Sequence, residues 1–207
     1  MVRRLLSEGD RERIESSIRQ IEQRSALEVV VAVVGRSADY WQWRVGLAAS
    51  WGLASACAVL RFLPGLQPLW AVLAEAPVAL LVYLAFGLAP LHRLLIPKVY
   101  SGRAVHARAF QLFAERGLHH TRDHTGLLLL VSELERRVVI LGDSGLHAQV
   151  GEDGWQRHVD ALVARIRQGR TVDGILEVLA ELEASAGRAF PVRPDDSNEL
   201  PDAVIEG

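Results

Sequence analysis

Residues 45–60 (VGLAASWGLASACAVL) and residues 76–91 (APVALLVYLAFGLAPL) are two uncharged apolar runs that decide how the rest of the chain is organised. Flanking apolar residues lengthen both runs, so we predict helices over about 43–63 and 69–96. Because about 20 helical residues cross the hydrocarbon of a bilayer, both are long enough to span it. The alternative is a pair of buried core helices, but small domains rarely hide two adjacent helices that are apolar on every face. The pattern therefore predicts a transmembrane helical hairpin over residues 43–97.

Aromatic residues stand where the two interfaces of a bilayer would be. Trp41 and Trp43 precede the first run, which is where interfacial anchors are expected. Trp70 precedes the second run and Tyr100 follows it. Basic residues are frequent on both outer flanks, whereas the connecting loop region has only Arg61. The positive-inside rule then predicts a multi-pass protein of the inner (cell) membrane with both termini in the cytoplasm.

Two charged residues lie at the inner edges of the apolar runs. Arg61 ends the first run and Glu75 begins the second, so in an antiparallel hairpin both would reach the same interface. We predict an ion pair between them. The alternative is that Glu75 is a functional carboxylate inside the membrane.

The composition limits the classes of function. Half of the 207 residues are hydrophobic and 23% are charged, which is typical of a water-exposed domain that carries a membrane segment. The net charge of −2 and the lack of a basic stripe predict no nucleic-acid partner. The one cysteine, Cys57, lies in the first apolar run, so we expect no intrachain disulfide. Residues 1–25 carry many charges and no apolar segment, so we expect no cleavable signal peptide.

The remaining segments alternate between helical and strand patterns. The β-branched run LEVVVAVV is typical of a strand buried on both faces, and such a strand needs neighbours. Because residues 1–40 supply too few elements for a core, we predict that they join residues 98–190 in one discontinuous cytoplasmic domain. Ser7 is predicted to cap the first helix, and Phe110 and Phe113 to point inward from the first helix after the hairpin. The predicted helices are 7–24, 102–116, 153–169 and one beginning at Thr171; the strands are 27–34, 126–132 and 137–142; residues 191–207 form an extended or disordered tail.

Polar side chains gather beside the predicted second and third strands. A four-residue turn over 133–136 places Gly126 opposite Asp143, which brings the loop before Gly126 close to the residues after strand three. Carboxylates and imidazoles at strand ends can ligate a divalent metal or exchange protons. The alternative is a rim of solvated loop residues. The candidate metal site consists of Asp123, His124, Asp143 and His147.

The tetrapeptide at residues 142–145, Gly-Asp-Ser-Gly, resembles the nucleophile motif of trypsin-like proteases. The paired β-barrels of those enzymes have no counterpart here, and the spacing is not that of a Gly-x-Ser-x-Gly elbow. A turn after the third strand explains the glycines better. We therefore assign no catalytic residue.

Several motifs together resemble the TPM domain family. They are FQLF at residues 110–113, TGLLLLVS at 125–132, ERRVVI at 135–140 and the glycines at 169 and 174, with the first helix and LEVVVAVV matching the beginning of that domain. The closing NELPD at 198–202 is similar to a bacterial membrane subgroup. The resemblance implies a small sheet in an α/β/α sandwich, here interrupted after its first strand by the two-helix transmembrane hairpin.

The family includes thylakoid proteins tied to photosystem repair, with a proposed acid phosphatase activity, and a channel accessory subunit. Some members bind calcium. Where the family often has an Asp two residues before the glycine that matches Gly126, this chain has His124, and where it often has Glu after a Gly-Leu pair, this chain has His147. Calcium prefers oxygen ligands, so these imidazoles favour a borderline metal such as zinc, or no metal.

We therefore expect a membrane-anchored TPM-like domain that acts as a non-catalytic docking or stabilising component of a membrane protein complex. The alternative is a membrane-tethered, metal-dependent phosphatase. The expected partners are the lipid bilayer and an unidentified membrane protein, with a homo-oligomer left open and a divalent metal as the candidate cofactor.

Overall fold

The computed structural model describes residues 5–65, 67–122, 124–191 and 204–207, with the backbone alone at residues 89, 92, 147–158 and 185–189. The chain divides into two compact units. One consists of Met1–Ser37 and Gly102–Gly207, and the other of Ala38–Ser101. The fold is mixed α/β with a small sheet, as predicted.

The sheet has four strands in the order β3-β2-β1-β4. The central strand β1 is parallel to both neighbours, β2 and β4, whereas β2 and β3 form an antiparallel hairpin. Every residue of β1 and β2 is buried, as expected for strands that helices cover on both faces. The strands are β1 Glu28–Val34, β2 Gly126–Ser132, β3 Arg137–Gly142 and β4 Ile205–Glu206.

The predicted register of the hairpin is confirmed. Leu127 pairs with Gly142, and the amide of Asp143 donates to the carbonyl of Gly126 at 2.9 Å. The four-residue turn between Ser132 and Arg137 therefore places the end of β3 beside the start of β2.

Two helical layers sandwich the sheet. Alternate residues along each strand point to opposite faces, so Val31 and Leu129 pack with α1, α6 and α7, whereas Val30 and Leu128 pack with α5 and a 3₁₀ helix. This is the predicted α/β/α arrangement. The helices of this unit are α1 Glu8–Arg24, α5 Lys98–Glu115, α6 Ser144–Arg167 and α7 Thr171–Ala189, with the 3₁₀ helix Leu118–His120.

The second unit is a hairpin of two long helices, α2 Trp41–Phe62 and α3 Pro68–Ala85, followed by a short helix, α4 Ala89–Leu95. Both long helices are apolar enough to span a membrane, and little of either is buried. The single helix predicted over 69–96 is interrupted after Ala85. Residues 86–88, which include Gly87, separate α3 from α4, and Pro90 lies in the first turn of α4, where proline is tolerated.

Three local expectations differ from the structure. Phe110 is 62% exposed, because the buried line of α5 runs through Val105, Ala109 and Leu112, about 100–160° away from it around the helix axis. The helix expected from residue 153 already begins at Ser144, so residues 142–145 are a helix start rather than a turn.

The tail provides the third difference. Residues 204–207 return to the sheet, where Ile205 and Glu206 pair with Ala32 and Val33 of β1. The rest of the predicted tail, residues 192–203, lies outside the described residues.

Candidate functional site

The predicted polar site lies where β2 begins and β3 ends. The 3₁₀ helix packs directly over this point, because Gly126 has no side chain: a Cβ there would lie 2.2 Å from the carbonyl oxygen of Leu118. Leu118 is fully buried in the core beneath α5. Gly126 therefore fixes the position of the loop that carries the histidines.

That loop is held by its own hydrogen bonds. The buried hydroxyl of Thr121 accepts from the amide of Thr125 at 3.1 Å. His124 adopts a left-handed backbone conformation, with φ of 55°, which is uncommon for a residue other than glycine. Its carbonyl accepts from the amide of Gly145 at 3.2 Å, so the loop is fastened to the start of α6.

His124 and Asp143 form the centre of the site. Nδ1 of His124 lies 3.0 Å from Oδ2 of Asp143, and with an ionised carboxylate this nitrogen is the donor. The other oxygen, Oδ1, accepts from the amide of Ser144 at 2.6 Å, so Asp143 is the N-cap of α6. The imidazole is 59% exposed, whereas the carboxylate is 16% exposed.

The hydrogen bonds set the pKa of Asp143. Burial by itself raises the pKa of this carboxyl. The backbone hydrogen bond from Ser144, the side-chain hydrogen bond from His124 and the positive charge of His124 outweigh burial, and the pKa lies below its usual value of 3.8. Asp143 is therefore a carboxylate at neutral pH, oriented by its neighbours.

The structure brings together two of the four predicted metal ligands. Asp123 lies outside the described residues, and the backbone of His147 lies in the first turn of α6 without a described side chain. Within the described part of the chain, no three His, Cys, Asp or Glu side chains are grouped so that they could hold a metal. Of the described side chains at this point, Asp143 supplies carboxylate oxygens, which calcium prefers, and His124 supplies an imidazole.

Ser144 is the first residue of α6, and its hydroxyl also donates to Asp143. Its side chain therefore supports the N-cap. The neighbouring imidazoles of His119 and His120 contact each other, with ring centroids 3.8 Å apart, and both are exposed.

A second polar group, at the other end of β2, was missed. The buried hydroxyl of Ser132 donates to Oε2 of Glu135 at 2.5 Å and accepts from the hydroxyl of Ser37 at 2.8 Å. The amide of Ser37 donates to Oε1 of Glu135 at 3.1 Å. This group fastens the last residue before the hairpin unit to the β2–β3 turn. Its pairing spans 95 positions of sequence, so no local pattern points to it.

A cavity of about 470 Å³ opens at the same end of the sheet. Parallel sheets commonly bind ligands beyond the carboxyl ends of their strands. The lining is mixed in charge and comprises Leu5, Gly35, Arg36, Glu133, Leu134, Glu206 and Gly207.

The structure does not bring Arg61 and Glu75 together. Glu75 packs against Gly52, whose added Cβ would lie 2.8 Å from Cγ of Glu75. Gly52 precedes Arg61 by nine residues of α2, or about 13 Å along the helix axis. The guanidinium of Arg61 instead lies 5.7 Å from the ring centroid of Phe62.

The predicted interface anchors occur at both ends of the hairpin. Trp41 and Trp70 are each 54% exposed, in the first turns of α2 and α3. Trp43 packs edge-on against Tyr100, with ring centroids 5.6 Å apart. Tyr100 also lies 6.3 Å from the ring of Tyr40.

Part of the chain is similar to a known protein family. Residues 93–185, which run from the end of the hairpin unit into α7, match the model of the TPM domain. The matched region is similar to that domain over just under half of the chain. A solved structure has the same fold: the BA42 protein from the psychrophilic bacterium Bizionia argentinensis superposes with a TM-score of 0.63. It is 17% identical, over 100% of this chain and 99% of that one. No curated protein matches the chain.

The TPM match and the structure agree on where the sheet and its helices lie. The matched residues include α5, β2, β3 and α6, the elements that position His124 and Asp143. The helix α1 and the strand β1 precede the matched region, yet they pack into the same core. The α/β core that contains the matched region is thus completed by segments from both sides of the hairpin.

Proposed function

We propose that the protein is a membrane-anchored TPM domain that acts as a non-catalytic docking or stabilising component of a membrane protein complex. The observation that carries the proposal is the insertion of two outward-facing apolar helices between β1 and β2. Trp51, Leu80 and Leu84 are 58–61% exposed on these helices, and lipid is the natural environment for such surfaces. An anchor that interrupts the domain restricts it to the membrane.

The proposed location is the inner membrane, with two spans and both termini in the cytoplasm. The supporting pattern is the basic flanks, which include Arg44 and Arg93, against the single Arg61 of the connecting region. A reporter that works only in the cytoplasm should be active when it is fused after Gly207. A reporter that works only in the periplasm should be inactive at the same position. Periplasmic behaviour of that fusion would contradict the orientation without affecting the fold.

A non-catalytic docking role is supported by the hydrogen bonds of Asp143. Both of its oxygens are engaged within the domain, one by His124 and one by the amide that begins α6. After mild-detergent extraction, the tagged full chain should migrate as a stable complex larger than the chain alone. Mass spectrometry should identify the same membrane protein at fixed stoichiometry in independent preparations. Migration as a free monomer in every detergent tried would contradict the proposal.

A metal-dependent phosphatase is the second candidate. The left-handed backbone of His124 and its contact with Asp143 favour it, because unusual backbone conformations concentrate at functional sites. Metal content and phosphoester hydrolysis should be measured on purified full chain, Asp143→Ala and the matched control Asp173→Ala, whose carboxylate pairs with Arg170. The docking proposal expects no difference between the three. Stoichiometric metal and activity that only Asp143→Ala loses would establish the phosphatase instead.

A further inference from the structure

The two helical layers of the TPM domain differ in charge. Between Lys98 and His120, on α5 and the 3₁₀ helix, there are four cations and a single acid, Glu115. On the opposite layer, residues 171–184 of α7 carry four acids and no cation, although Arg24, Arg165 and Arg170 pair with three of these acids. The cations are Lys98, Arg103, Arg108 and Arg116, and the acids are Asp173, Glu177, Glu181 and Glu183.

The cationic layer also exposes an aromatic side chain. Val105, Ala109 and Leu112 face the sheet, whereas Phe110 is 62% exposed among the other outward residues of α5. A single exposed aromatic residue is ordinary on a protein surface. Phe110 differs from such a residue because it lies on the cation-rich layer of a chain with a proposed membrane anchor. An amphipathic helix that lies on a bilayer combines cations with an aromatic side chain in this way.

We propose that the outward face of α5, defined by Arg103, Ala107 and Phe110, lies on the anionic surface of the bilayer. The inference rests on the proposed membrane insertion. Arg103 follows the last residue of α4 by eight residues, so the chain keeps it within about 28 Å of that point. Anionic headgroups attract the cations of this layer and repel the acids of α7. Phe110 reaches the level of the headgroups, where aromatic rings are favoured.

The test places spin labels on the full chain in vesicles. Ala107→Cys and its matched control Ala180→Cys are both exposed alanines of helices, one on α5 and one on α7. Each is made in a Cys57→Ser background and labelled with a nitroxide. Accessibility to a water-soluble nickel complex is then compared in pure phosphatidylcholine and in phosphatidylglycerol-rich vesicles.

We expect nickel accessibility at residue 107 to fall several-fold in the anionic vesicles, with no change at residue 180. Arg103→Glu should abolish the fall, whereas Arg19→Glu, an exposed cation of α1, should preserve it. Because the vesicles contain only lipid and copies of the chain, protection at residue 107 that appears only with anionic lipid reports the bilayer surface. Equal accessibility in both lipids, or equal protection at residue 180, would overturn the inference.

Cys57 separates this inference from the membrane insertion on which it rests. It is the native cysteine of the chain and an exposed residue of α2. A label there should be accessible to oxygen and protected from nickel. If Cys57 is protected from nickel while residue 107 is not, the result supports the membrane insertion and contradicts the contact of α5 with the bilayer surface. A nickel-accessible Cys57 would overturn both.

Discussion

The two compact units of this chain follow opposite packing rules. In the α/β domain, large apolar side chains such as Leu129 are fully buried, and polar groups close the ends of its elements. On the two long helices of the hairpin, the buried residues are the small Ala48, Gly52 and Ala71, while large side chains such as Leu80 lie outside. The large buried residues of this unit, which include Phe86, lie beyond the ends of these helices. Water drives the first arrangement. The second is typical of helices that associate within lipid, where close backbone approach replaces the hydrophobic effect.

The same contrast appears at the helix ends. Ser7 caps α1 by accepting from the amide of Asp10 at 3.1 Å, as predicted. Neither α2 nor α3 has a side-chain cap. Instead, Arg44 of α2 donates to the carbonyl of Tyr83 at 3.2 Å, near the end of α3, where the helix dipole favours a cation.

The largest expected effect comes from a pair of leucines. Leu129→Ala in β2 should destabilise the domain by about 2–5 kcal/mol, because it opens a cavity in a fully buried site. Leu80→Ala should leave the stability of the domain unchanged, since that side chain is 58% exposed on α3. Hydrogen exchange of the β2 segment in vesicles measures both. Similar losses of protection would remove the contrast between the two units.

A pair of glycines tests the packing inside the hairpin. Gly52→Leu should separate α2 from α3 at a cost of about 1–3 kcal/mol, because the new side chain has no room beside Glu75 and Ala79. Gly46→Leu is the control, since an added Cβ there meets nothing within 4 Å. Hydrogen exchange in α2 and α3 should rise for the first variant alone. An equal response would mean that Gly52 does not hold the helices together.

Local patterns predicted most of the domain. The bounds of β2 and β3 match the expectation, because a buried apolar run and a polar turn define each strand within a few residues. The His124–Asp143 contact followed from the same register. By contrast, β4 has two residues and is recognised only through its pairing with β1, which lies more than 170 positions earlier.

The register of the hairpin helices is another feature that the sequence could not supply. Two uniformly apolar helices carry no pattern that fixes which residues face each other. Their opposite charges suggested that Arg61 and Glu75 form an ion pair. Glu75 instead packs against Gly52, which has no side chain to keep the two helices apart. The start of α6 was missed for a related reason: Gly142 and Gly145 suggest a turn, whereas the hydrogen bonds of Asp143 begin a helix.

The smallest expected effect concerns the one paired carboxylate of the site. The folded pKa of Asp143 is depressed, so its contribution to stability is fully present above the unfolded value of 3.8 and is lost as pH falls through the folded pKa. Asp143→Asn keeps an N-cap of similar strength but removes the charge. At neutral pH it should lower the stability of the domain by less than about 1 kcal/mol, as expected for a solvent-screened pair.

The difference in stability between the wild type and Asp143→Asn should shrink in acid, because the carboxylate of wild-type Asp143 then also becomes neutral. Asp143→Ala separates the two contributions: it also removes the cap, and should cost about 1 kcal/mol more than Asp143→Asn. Urea titrations of the three proteins in detergent, from neutral pH to pH below the folded pKa, measure both effects. If Asp143→Asn stays equally destabilised throughout, the charge of Asp143 does not stabilise the fold.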